Sequence, residues 1–169
     1  MGYEERAIKI YELIKNDDIE KAKKMITADK SPLDFVTPFG TWLHVATRVG
    51  NLQMITFLVE SGMDININEG VPKTAPIAHA ASEGEFLVVE YLFNKGALLD
   101  VSDPNRNPLF SAIYGGHIDI VMYLIQKGID ITVKYTGDTM QDMDAYAFAV
   151  ERGETEIAAY IKQKLDEKD

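Results

Sequence analysis

Four glycines, Gly50, Gly84, Gly116 and Gly153, stand 34, 32 and 37 residues apart, and each follows an alanine by four positions (Ala46, Ala80, Ala112 and Ala149). Around each glycine the residue types keep one order: a capping start, a short apolar segment, the glycine, then a second apolar segment at helical spacing. In the unit 41–66 (TWLHVATRVGNLQMITFLVESGMDIN) Thr41 is suited to cap a helix, because its hydroxyl can accept from a free first-turn N–H. His44, three residues on, can reach back to that cap as the acid of a capping box does. Gly50 ends the first helix, since a left-handed terminal residue is easiest for glycine. Leu52, Ile55, Leu58 and Val59 then form the stripe of a second helix, closed by Gly62. Asp17 takes the glycine's place in an N-terminal unit, 33 residues before Gly50. A lone helix pair cannot bury its apolar face, but five in tandem can cover one another. The spacing predicts an all-α stack, a solenoid of about five helix pairs.

A period near 33 with this order resembles the ankyrin repeat, whose signature is T-P-L-H-x-A followed by a glycine turn. Thr41-Trp42-Leu43-His44-Val45-Ala46 keeps all of it except the proline. Ala75 to Ala80 keeps the proline and the last alanine, Asn107 to Ala112 keeps proline, leucine and alanine, and Asp144 to Ala149 keeps the alanine with Asp144 as a cap. The resemblance runs from about Ala7 to Leu165. It implies an ankyrin-repeat solenoid with hairpin-like fingers, in units of about 3–34, 35–69, 70–101, 102–135 and 136–169. The connectors carry prolines at Pro32, Pro38, Pro72 and Pro104, which suit turns. The 37-residue step assigns an insertion to the last connector, 133–143.

Composition narrows the function. The net charge is −10, which argues against an electrostatic grip on nucleic acid or an anionic membrane surface. Residues 1–20 carry six acids against three bases, 21–137 twelve against ten, and 138–169 nine against four. Acidic ends suit solubilised caps of a stack, and an acidic C-terminal binding surface is the alternative. There is no cysteine, hence no disulfide framework and no thiolate zinc site. The start, MGYEERAIKI, has no apolar signal core, and no apolar run is long enough to span a bilayer. These features predict a cytoplasmic monomer without cofactor.

Catalytic patterns are missing. No H-E-x-x-H, G-x-S-x-G or S-x-x-K occurs, and Gly115-Gly116 has no Lys-Ser or Lys-Thr after it. Asp138, Asp142 and Asp144 alternate as in a calcium loop but lack its glycine and closing glutamate. His44 is expected to be structural and His117 to serve the inter-helix turn, while the role of His79 is left open. The expectation is a non-catalytic module that binds a protein. An inhibitor or immunity-type protein that neutralises a basic toxin or enzyme is the alternative. The resemblance implies binding by the concave face, lined by finger tips and first helices. On this sequence that surface carries Phe39, Trp42, Arg48, Val49, Lys73, Glu83, Asn105, Arg106, Tyr114, Tyr135 and Arg152. Aromatic and arginine side chains are the usual interface anchors. For Trp42, packing against its own finger is an equal alternative.

Overall fold

A computed structural model describes residues 2–28, 36–38, 40–70, 73–137 and 140–167. The described residues form five consecutive helix pairs. These are α1 (Tyr3–Lys15) with α2 (Ile19–Ala28), α3 (Trp42–Arg48) with α4 (Leu52–Glu60), α5 (Pro76–Glu83) with α6 (Phe86–Asn94), α7 (Pro108–Gly115) with α8 (Ile118–Gln126), and α9 (Ala145–Arg152) with α10 (Thr155–Asp166). The starts follow from capping chemistry. Asn107 Oδ1 accepts from the Leu109 N–H at 2.9 Å, Asp144 Oδ1 from Ala147 N–H at 2.9 Å, and Asn51 Oδ1 from Met54 N–H at 2.7 Å. Pro76 and Pro108 open α5 and α7, where a missing N–H costs no helical bond.

The turns obey the register. Gly50, Gly84, Gly116 and Gly153 each separate the two helices of a pair at positive φ, and Asp17 does so at φ 60. Gly84 shows a second reason for glycine. A Cβ there would stand 2.6 Å from the His117 ring, because the residue after each turn glycine leans over the turn of the preceding pair. Glu85 lies over Gly50 and Glu154 over Gly116 in the same way.

The first helices pack in series, α1 on α3, α3 on α5, α5 on α7 and α7 on α9. The second helices form an outer row, with α2 on α4, α6 on α8 and α8 on α10. Apolar residues between the rows make a continuous core that includes Ile14, Leu43, Leu58, Ile77, Leu92, Leu109, Leu124 and Ile161. An inner helix has neighbours on both flanks as well as its own partner. Residues 41–47 are consequently all buried, and α3 shows no amphipathic stripe.

Polar bonds spaced about one period apart link successive pairs. His44 Nε2 lies 2.8 Å from the Thr74 carbonyl, and His117 Nε2 lies 3.1 Å from that of Ser82. The Leu98 N–H donates to Asn66 Oδ1 at 2.8 Å, and Asn51 donates to Asp17. The Tyr135 hydroxyl donates to the Val101 carbonyl at 2.8 Å. The connectors are less regular than hairpins. Among the described residues two hold isolated bridges, Thr37 with Gly40 and Glu69 with Thr74, and only the lengthened last one has a ladder, β1 (Tyr135–Gly137) antiparallel to β2 (Met140–Met143).

Candidate functional site

Residues of α3, α5, α7 and α9, with connector residues beside them, line an open groove of about 570 Å³. Its ends differ in chemistry. Toward α3 it is walled by Arg48, Thr74, His79, Ser82 and Glu83. Pro104, Asn105, Ser111 and Tyr114 form the middle. Toward α9 it is walled by Phe110, Phe148, Met140 and Met143, with Glu151 and Arg152 on the rim. The Phe110 and Phe148 rings stack at 4.8 Å with 12° between planes, and Phe110 meets Tyr135 edge-on at 4.9 Å. The Arg152 guanidinium carbon lies 4.3 Å from the centre of the Tyr114 ring, which holds both side chains at the rim. Two arginines and two glutamates balance here, although the whole chain is strongly acidic.

The histidines at the α3 end have different duties. His44 is buried, and its Nδ1 accepts from the Thr41 N–H at 3.1 Å and lies 3.0 Å from the Thr41 hydroxyl. Its Nε2 faces a carbonyl, which can only accept, so Nε2 carries the proton. Burial lowers its pKa, although the Thr74 carbonyl opposes the shift. His79 stands edge-on to His44, with ring centres 5.3 Å apart. Its ring makes no hydrogen bond among the described residues, and burial, then His44 and Arg48, lower its pKa to about 4. The Thr74 hydroxyl, in a residue only 5% exposed, also lacks a hydrogen-bond partner among the described residues.

Of the residues expected on the concave face, Arg48, Glu83, Asn105, Tyr114 and Arg152 line this groove. Val49 (40% exposed), exposed Lys73 and half-buried Arg106 are not part of its lining. Two expectations are corrected. Trp42 is 0% exposed, enclosed because α3 is covered by both α1 and α5. Tyr135 is 9% exposed, and its hydroxyl accepts from Asn107 Nδ2 at 2.9 Å while donating to Val101, so it is a structural bridge. Phe39 lies outside the described residues. Thr74, Phe110, Met140, Met143 and Phe148 were missed. A signal existed for part of the lining: His79, Ser111 and Phe148 all stand five residues before their turn glycine.

Tandem helix pairs joined by polar bonds, with a groove across the inner row, define a helical repeat scaffold. The chain belongs to the ankyrin-repeat family: residues 10–103 and 43–135 match the family described as "Ankyrin repeats (3 copies)". It is similar to the "Ankyrin repeat and KH domain-containing protein mask-1" of Caenorhabditis elegans, 25% identical over 167 residues, covering 82% of this chain and 6% of that protein. It is also similar to "Palmitoyltransferase ZDHHC13" of Mus musculus, 30% identical over 137 residues, 78% of this chain and 20% of that protein. "Protein phosphatase 1 regulatory subunit 27" of Mus musculus is 34% identical over 91 residues, 53% of this chain and 58% of that protein. The chain thus spans less than two thirds of the length of each. Ankyrin repeats are generally protein–protein interaction modules and typically non-catalytic. Among the described residues no helix is long and apolar enough to cross a membrane.

Proposed function

We propose that this chain binds a protein partner, without catalysis, through the groove across α3, α5, α7 and α9. The observation that carries this reading is convergence: Arg48, Glu83, Tyr114 and Arg152 come from four successive helix pairs and, with Asn105 of the connector before α7, line one cavity. Its aromatic and arginine side chains are of the kind that anchor interfaces, and Tyr114 is 58% exposed. A role as inhibitor of a basic protein draws support from the acidic ends, but the groove carries as many bases as acids, so direct partner binding is the better-supported reading.

The test is capture of partners on immobilised chain, identified by mass spectrometry and compared with capture by an Arg48→Ala, Tyr114→Ala, Arg152→Ala variant. The thermal transition of the variant is expected to stay near that of the parent. Affinity for the captured partner should fall at least about tenfold, roughly 1.4 kcal/mol, which is less than one good anchor supplies. Unchanged binding by a folded triple variant refutes the assignment to this groove.

A further inference from the structure

The two ends of the groove call for different ligand chemistry. Resting on the groove reading, we propose that Arg48 and His79, beside the Thr74 hydroxyl, form a carboxylate subsite for an Asp or Glu side chain of an extended partner segment, whose apolar residue seats at the Phe148–Met140–Met143 end. Three observations support the subsite. Arg48 lines the groove and is close enough to both His44 and His79 to act on their protonation. A guanidinium matches a carboxylate by charge and by its fork of donors. His79 lines the groove and is held neutral, and its ring makes no hydrogen bond among the described residues, so its ring N–H is an uncommitted donor. Thr74 lines the same wall, and its buried hydroxyl has no hydrogen-bond partner among the described residues, a state that is rare in folded proteins. At the opposite end, stacked rings and two thioethers offer only apolar contact, the adaptable kind that methionine provides.

The spacing between the two ends constrains the ligand. The carboxylate subsite lies between α3 and α5, and the apolar end between α7 and α9, two helix spacings along the inner row. At about 8–10 Å per spacing this is about 16–20 Å. An extended chain at about 3.4 Å per residue covers it in about five or six residues. The acid and the apolar residue of the partner segment should be separated by that number.

The experiment uses the full chain and a displayed library of random 12-residue peptides, with selected peptides resynthesised with amidated C-termini. The expected result is enrichment of peptides with an Asp or Glu about five or six residues from a large apolar residue. Changing that acid to its amide should weaken binding to the parent about tenfold. The same change should have little effect on binding to Arg48→Gln, a substitution at an exposed position, with folding checked by thermal melt. That non-additivity separates a direct contact from a general loss of stability. Peptides that lose affinity for Tyr114→Ala, Arg152→Ala but are indifferent to loss of the acid overturn the carboxylate subsite and leave the groove reading standing. Binding that needs a free C-terminal carboxylate also overturns the side-chain assignment. Peptides insensitive to every groove substitution, or no enriched peptide at all, overturn the groove reading and the subsite with it.

Discussion

Replacing His44 with alanine should cost this chain more stability than most single changes, and the geometry sets the size. The ring accepts from the Thr41 N–H at 3.1 Å and donates to the Thr74 carbonyl at 2.8 Å, joining residues 30 apart. Both partners are buried, at 2% and 5% exposure, so water cannot replace the lost bonds without opening the wall. Leaving a buried donor or acceptor unsatisfied costs about 1–3 kcal/mol each. Two such groups bring the expected loss to about 3 kcal/mol, before any cost for the space left by the ring. His44→Asn is the informative partner variant. Its amide oxygen can still accept from Thr41 but cannot reach Thr74, so it should lose roughly half as much. The assay is urea denaturation followed by circular dichroism together with the fluorescence of Trp42, the single tryptophan, which lies buried in the same helix. A loss below about 0.5 kcal/mol for His44→Ala, or equal losses for the two variants, would refute the bridging role.

Tyr135→Phe removes a hydroxyl that bridges Asn107 and Val101, and should destabilise by about 1–2 kcal/mol in the same denaturation assay while leaving partner capture unchanged; a selective loss of binding would restore Tyr135 to the interface. His79 is harder to protonate in the folded chain (about 4) than in the unfolded one (about 6.5), so its neutral form stabilises the fold above pH 6.5 and that contribution is lost as pH falls toward 4. The loss should be about 2 kcal/mol after allowance for solvent screening, and His79→Gln should flatten the stability profile between pH 6.5 and 4; parallel profiles for parent and variant would exclude it.

The register of the stack was legible because it rests on local backbone chemistry. A left-handed turn selects glycine, and the positions assigned from spacing alone carry positive φ, including Asp17. The His44 cap was legible for the same reason, since its reach spans three residues. Trp42 was not legible. Its burial depends on α1 and α5 closing over both flanks of α3, and a helix covered on every side prints no stripe in the sequence. Tyr135 was hidden by its partners, which lie 28 and 34 residues away. The insertion in the last connector could be read from the 37-residue step, but its pairing of Tyr135 with Met143 could not. The groove was half legible: its rim residues stand near the turn glycines, whereas Met140 and Met143 come from a connector without a repeat counterpart.

The polar bonds between successive helix pairs also determine how the chain carries tension. His44 to Thr74, Asn66 to Leu98 and Tyr135 to Val101 each close a loop of nearly one period. Pulled from its two ends, the stack loads these rungs in series, and none can share its burden with a distant one. When one rung breaks, the slack it frees is one unit of about 33 residues, close to 110 Å of extended chain. Stretching should therefore lengthen the molecule in nearly equal steps, so that the period written in the sequence becomes a ruler that a force measurement can read.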